Sequence, residues 1–166
     1  MKHVILIGCI LSSLSAIGQT DLKESFLIRW QNMQNYTIKL AESMPDSLYD
    51  FRPTDSVMSF KEQISHLNTH LQWIRLEYFN LESDSTLTLF DMHLFTPNYY
   101  RKHLAFSFQE IGSQVKKFDI ADLEERKFFP PANRELSRYE MLYLLLDHTR
   151  NHTGQLIVYL RLNGIT

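Results

Sequence analysis

Apolar side chains recur at intervals of three and four residues in four long segments of the chain. This spacing places the apolar residues of each segment on one face of an α-helix. The segments predict helices over residues 21–44, 59–80, 97–118 and 137–163. No stretch shows a β-strand pattern strong enough to compete, and no repeat or domain boundary interrupts the chain. The pattern therefore predicts an all-α fold, a four-helix bundle that buries the four apolar faces against one another.

Polar residues indicate where the predicted helices begin. Three segments open with Asp or Ser followed three residues later by Glu, the spacing of a capping box: Asp21 and Glu24, Ser59 and Glu62, and Ser137 and Glu140. The remaining segment opens with Thr96 and Pro97, a capping residue followed by a proline suited to the first helical turn. We also expect the connection over residues 81–95 to pack against the bundle, because it contains several aromatic and aliphatic residues.

The first eighteen residues have the features of a signal peptide. Lys2 and His3 precede an apolar run over residues 4–17, and small residues stand at Ala16 and Gly18. This pattern predicts cleavage before Gln19, a mature chain over residues 19–166, and a periplasmic or secreted location. The run is short and interrupted by serines, so we expect no stable membrane span after processing.

Cys9 is the only cysteine. The sequence before it also matches a lipoprotein signal, but too few residues precede Cys9 to make that the favoured interpretation. A mature chain without cysteine excludes disulfides, thiolate nucleophiles and cysteine–zinc sites. Any metal site must then use His, Asp or Glu.

Composition narrows the class of protein further. The chain is 44% hydrophobic and 22% charged, with only five glycines and five prolines, which is typical of one globular domain. The net charge of −2 is spread along the sequence without a basic face. These properties exclude a disordered chain and a membrane bundle, and they argue against nucleic acid as a partner.

Two histidines on the last predicted helix are candidate metal ligands. His148 and His152 lie four residues apart, so their side chains differ by only about 40° around the helix axis and can reach one point. Burying two imidazoles is unfavourable unless both rings find partners, and a metal ion satisfies them together. Separate hydrogen bonds for each ring remain the alternative at this point.

A second pair, His66 and His70, lies on the second predicted helix. The pairs together allow a four-histidine site, or a site of three ligands with one histidine left over. A helical wheel places His70 nearer than His66 to the apolar face, so geometry alone favours His70 as the third ligand.

Two segments resemble the DinB-like superfamily. The first, over residues 50–67, contains Arg52-Pro53 and then Met58-Ser59-Phe60 leading to His66. The second, over residues 147–161, contains the two histidines in an HxxxH spacing, followed by Gly154-Gln155 and Tyr159-Leu160-Arg161. The resemblance extends over all four predicted helices. It implies a four-helix bundle that holds a divalent ion, commonly zinc or nickel, through His66, His148 and His152. The resemblance thus selects His66 as the third ligand, whereas the helical wheel favours His70.

The resemblance also implies a function. Three neutral imidazoles with one open position are typical of catalytic rather than structural zinc. We therefore expect a metal-dependent hydrolase or transferase that acts on a small molecule. The alternative is a non-catalytic exported module that binds metal or is associated with stress. A homodimer is left open. An exported location argues against relatives that use cytosolic thiols.

Supporting groups for catalysis are harder to assign from the sequence. No general acid or base can be placed beside the histidines, because Glu62 and Glu140 are expected in capping boxes and Asp147 points away from the apolar face. Gln155 either bonds a water on the metal or pairs with an amide of a neighbouring helix. Trp30 and Trp73 are expected in the core or at its rim, and His93 and His103 in local roles.

Overall fold

A computed structural model of the chain describes the backbone of residues 2–79 and 96–166 and the side chains of residues 22–79 and 96–166. Its elements in chain order are α1 (Lys2–Ser43), α2 (Phe60–Phe79), α3 (Pro97–Lys117), α4 (Ile120–Glu124), β1 (Arg126–Phe129), β2 (Arg134–Ser137) and α5 (Arg138–Leu162). Helices α1, α2, α3 and α5 form a four-helix bundle, which confirms the predicted fold. The expected packing of residues 81–95 concerns residues outside those described.

The core lies between these four helices and contains the apolar stripes predicted from the sequence. Residues at its centre are fully buried, among them Phe60, Leu67, Tyr100, Phe108 and Leu145. Trp30 is also in the core, as expected, where its Nε1–H donates to the Phe108 carbonyl at 2.9 Å. Burial of this apolar surface is the main source of the bundle's stability.

Three of the predicted helix starts are confirmed. The Ser59 hydroxyl accepts from the Glu62 amide at 3.2 Å while the Glu62 carboxylate accepts from the Ser59 amide at 2.6 Å. The same reciprocal pair forms between Ser137 and Glu140. At α3, Thr96 accepts from the Tyr99 amide ahead of Pro97. The caps at Ser59 and Ser137 fix the starts of α2 and α5, the two helices that carry the candidate histidines.

The start predicted for the first helix is wrong. Helix α1 runs without interruption from Lys2, so Asp21 lies inside the helix and not at its start. The apolar run upstream of Asp21 is itself compatible with helix, and a capping residue within a continuous helix has no free amides to satisfy. Side chains before Leu22 lie outside those described, and the signal-peptide interpretation stays a prediction. Among the described residues, no helix is long and apolar enough to cross a membrane.

A short β-hairpin between α4 and α5 was not predicted. Arg126–Phe129 pairs antiparallel with Arg134–Ser137, and Asn133 in the turn adopts a left-handed conformation with φ 49°. Each strand has four residues, of which β1 exposes three and β2 exposes two, and neither shows a clear apolar alternation. The hairpin is held against the end of α2, where the Tyr78 hydroxyl donates to the Phe128 carbonyl at 2.8 Å.

The segment between α1 and α2 fixes the position of α2 against α5. The Phe60 amide donates to the Phe51 carbonyl at 2.9 Å, which holds the segment against the first turn of α2. The buried Tyr159 of α5 donates from its hydroxyl to the Met58 carbonyl at 2.6 Å. This bond ties the start of α2 to the end of α5, and the histidines lie on the turns that follow it.

Candidate metal centre

Three histidines meet where α2 packs against α5. One ligating nitrogen from each of His66, His148 and His152 lies within 4.8 Å of the other two. The ring centroid of His66 lies 5.2 Å from that of His148 and 4.7 Å from that of His152. The ring centroids of His148 and His152, both on α5, are 4.6 Å apart. The structure thus brings together the set of residues implied by the resemblance.

The group belongs to an antiparallel ladder of polar side chains along the two helices. On α2 the ladder contains Gln63, His66 and His70, and on α5 it contains Gln155, His152 and His148 in the opposite order. Residues spaced by three or four positions lie on one helix face, so each helix presents three successive side chains to the other. The histidines are therefore preset by the packing of the two helices.

His152 is held by a buried hydrogen bond. Its Nδ1 lies 2.6 Å from Oε1 of Gln63, and the two residues are 7% and 2% exposed. Because an amide oxygen can only accept, this bond places the proton on Nδ1 and leaves the Nε2 lone pair free. Gln63 also donates from Nε2 to Oε1 of Gln155 at 2.5 Å. Of the two roles considered for Gln155, the structure shows the amide pairing.

The donor set fits a divalent metal ion. His148 Nε2 is buried and has no hydrogen-bond partner among the described residues. Leaving a buried polar atom unpaired is unfavourable, and a ligated ion would remove that cost. His66, His148 and His152 would hold such an ion through one ring nitrogen each.

The surroundings of His148 and His152 favour the neutral form of both imidazoles. Burial, followed by the neighbouring rings of His148 and His66, lowers the pKa of His152 to about 4. Burial and then His66 also lower the pKa of His148. A neutral imidazole is the form that binds metal, since protonation removes the lone pair. His148 and His152 are thus poised for ligation at neutral pH.

A family model described as the DinB superfamily matches residues 29–156, which include all three histidines. The chain belongs to the DinB superfamily. The uncharacterized DinB relative YjoA of Bacillus subtilis is 26% identical over 141 residues, covering 80% of this chain and 85% of YjoA.

Solved DinB-like structures share the fold at low sequence identity. The crystal structure of YjoA has a TM-score of 0.68. In that structural match the two chains are 18% identical, and the match covers 86% of this chain and 94% of YjoA. YfiT from Bacillus subtilis, described as a probable metal-dependent hydrolase with an unusual four-helix bundle topology, has a TM-score of 0.69 at 14% identity. That match covers 87% of this chain and 89% of YfiT. A DinB-like protein from Bacillus cereus has a TM-score of 0.70 at 17% identity, covering 86% and 93%.

His70 lies beside the group formed by His66, His148 and His152 and does not belong to it. Its ring stacks on His148 with centroids 3.9 Å apart, and its buried Nε2 has no hydrogen-bond partner among the described residues. Burial and then the charges of the neighbouring histidines lower the pKa of His70 to about 3. The wheel-based choice of His70 over His66 is not what the structure shows, since His66 is the α2 residue that joins the group.

A cavity of about 730 Å³ opens next to His70 and His148. Its walls come from α2, α5 and the hairpin, and they contain the apolar residues Trp73, Phe129, Pro131, Leu136 and Leu144. Trp73 therefore lies at the rim, as expected, with its ring 5.7 Å from that of Phe129. Polar groups reach the same cavity from Arg134, Glu140, Asp147 and Asn151.

The acidic side chains of α2 and α5 considered for proton transfer differ in their roles. Glu62 and Glu140 serve in capping boxes, as predicted, and backbone hydrogen bonds lower the pKa of both carboxyl groups. Asp147 is exposed, but it lines the cavity together with His148, a proximity that the wheel did not indicate. His103 lies outside the three-histidine group, with its ring centroid 4.0 Å from that of Tyr99, and His93 lies outside the described residues.

Sequence reasoning missed two parts of the site. Gln63 precedes His66 by three residues, and that spacing on one helix face was the available signal for its contact with the histidines. The cavity wall contributed by the hairpin had no signal of comparable strength, because it depends on how β1 and β2 fold over α2.

Proposed function

We propose that this DinB protein is a divalent-metal-dependent hydrolase that acts on a small molecule. The observation that carries the proposal is the convergence of His66, His148 and His152 beside an open cavity. The description of YfiT as a probable metal-dependent hydrolase supports it, since YfiT shares this fold. Zinc and nickel are the metals that the proposal favours, because imidazole nitrogen is a good ligand for both.

The three histidines would hold the ion and leave one position for a ligand. Such an ion supplies Lewis acidity, which activates water and polarises a carbonyl group. The amide of Gln63 orients His152 from behind, and the tight packing of α2 on α5 limits how far the rings move. This arrangement of three protein ligands resembles catalytic rather than structural zinc sites.

The cavity beside His148 is the route by which a substrate would reach the ion. Its walls combine aromatic and aliphatic residues with charged and polar ones, so it suits a substrate with both an apolar part and polar groups. Asp147 at the same cavity offers a carboxylate for proton transfer.

Metal content tests the proposal directly. Purified protein is incubated with zinc or nickel, freed of excess ion and analysed for metal per chain, next to His66→Ala and His148→Ala. We expect about one ion per wild-type chain and a large loss in both variants. A wild-type protein that retains no metal would overturn the proposal.

Turnover separates a hydrolase from a metal-binding module. The loaded protein is assayed with small aromatic and aliphatic esters and amides, with loaded His103→Ala as the control for loss of a histidine elsewhere. Hydrolysis by the wild type and His103→Ala that disappears in His148→Ala would support the hydrolase. Retained metal without turnover on any substrate would favour the exported metal-binding module instead.

A further inference from the structure

Metal binding by His152 depends on which of its ring nitrogens carries the proton. A neutral imidazole has one N–H and one lone pair, so binding through Nε2 requires the proton to be on Nδ1. In water the two tautomers exchange freely, but His152 is only 7% exposed. Its tautomer is therefore set by the protein group that faces Nδ1.

That group is the side-chain amide of Gln63, at 2.6 Å. An amide has two chemically opposite ends. If it presents its oxygen, Nδ1 must carry the proton and Nε2 is free to bind metal. If the amide turned by 180° and presented its NH2, Nδ1 would accept, Nε2 would carry the proton, and ligation through Nε2 would be blocked.

Gln155 decides between these two orientations. Its Oε1 accepts from Nε2 of Gln63 at 2.5 Å, which holds the NH2 of Gln63 toward α5's next turn and the oxygen toward His152. Turning the Gln63 amide alone, with Gln155 in place, would bring two oxygens together at that distance, which is strongly unfavourable. Gln63 is 2% exposed, so water cannot readily replace either bond.

We propose that Gln63 and Gln155 form a positioning pair that fixes His152 as the Nδ1–H tautomer and so prepares Nε2 for the metal. This inference rests on the proposed metal site. It assigns the Gln155 of the Gly154-Gln155 motif a role that acts through Gln63, without contact with the ion or the substrate. Partners of this kind behind a metal-bound histidine typically change metal affinity by 10- to 100-fold.

The tautomer is measured first, on metal-free protein, by two-bond ¹H–¹⁵N NMR of the histidine rings, with His152 assigned by its absence in His152→Gln. We expect the Nδ1–H tautomer in the wild type and a shift toward Nε2–H in Gln63→Leu. An Nε2–H tautomer in the wild type would overturn the inference, even if the protein binds metal. Because this measurement needs no metal, it stays informative should the proposed function fail.

Zinc affinity is then measured by competition with a chelating dye. Gln63→Leu should bind zinc about 10- to 100-fold more weakly than the wild type. Gln155→Glu keeps the acceptor that the NH2 of Gln63 needs, so it should bind zinc within a few-fold of the wild type. Gln155→Leu should lose less zinc affinity than Gln63→Leu, because Gln155 acts only through Gln63. Equal zinc affinity of Gln63→Leu and the wild type would refute the positioning role.

Asn68→Leu separates positioning from a general loss of stability. Asn68 is another amide on α2, equally buried at 2% exposure, and it donates to the Tyr100 carbonyl rather than to the site. We expect its removal to lower the melting temperature while leaving zinc affinity and the His152 tautomer unchanged. A loss of affinity in Asn68→Leu as large as in Gln63→Leu would assign Gln63 to stability alone.

Discussion

Zinc should stabilise the folded protein, and His66→Phe should remove most of that effect. An ion that binds only the folded state adds about 2.7 kcal/mol to the free energy of unfolding when its free concentration is 100 times the dissociation constant. For a domain of this size each kcal/mol raises the melting temperature by roughly 2–4 °C. The expected shift for the wild type is therefore roughly 5–11 °C. Phe keeps a ring of similar size at position 66 but cannot bind metal.

The assay is thermal unfolding followed by circular dichroism, with zinc added to protein stripped by a chelator. His103→Phe is the matched control, because His103 is a half-buried histidine on α3 outside the group and should keep the full shift. Magnesium, which prefers oxygen ligands, should shift none of the proteins. A zinc shift in His66→Phe as large as in the wild type would refute the assignment of His66 as a ligand.

Three further predictions concern other parts of the chain. Gly154→Ala should raise the free energy of unfolding by roughly 0.5–1 kcal/mol, because a Cβ there meets nothing within 4 Å. Gly112→Ala should raise it by less, because its Cβ would lie 3.3 Å from Trp30. Equal increases for the two variants in urea unfolding would contradict an effect of the Trp30 contact. Ser137→Ala should cost about 1 kcal/mol by removing the α5 cap, and an unchanged urea midpoint would show that the cap contributes nothing. Protein recovered from the periplasm or medium should begin at Gln19 by N-terminal sequencing, and retention of residues 1–18 would exclude cleavage there.

The helices could be predicted because their signals are local. Apolar periodicity located α2, α3 and α5 to within a few residues, and the capping boxes at Ser59 and Ser137 agree with the observed starts. The hairpin could not be found in this way. Its strands contain only four residues each, and their pairing is stabilised by contacts with Tyr78 on a distant helix. The prediction of the start of α1 was wrong for a related reason, since a capping pattern at Asp21 does not mark a helix start when the helix continues upstream.

The site shows where a helical wheel stops being informative. A wheel compares directions around one axis, and His66 and His70 both face α5. What distinguishes them is their level along α2, because His66 lies opposite the space between His148 and His152 while His70 lies one turn further on. That level depends on how α2 is shifted along α5. No periodicity within α2 contains this information.

The shift between the helices is fixed by contacts outside the histidine group. The hydroxyl of Tyr159 reaches the Met58 carbonyl just before α2, and Gln63 meets Gln155 on the next turn. Sliding α2 by one turn would break both contacts and would place His70, rather than His66, beside His152. The HxxxH pair on α5 is therefore specified by its own helix, whereas the third histidine is specified by the packing between helices. For this reason spacing alone identified two candidate ligands, and the third required either the family resemblance or the structure.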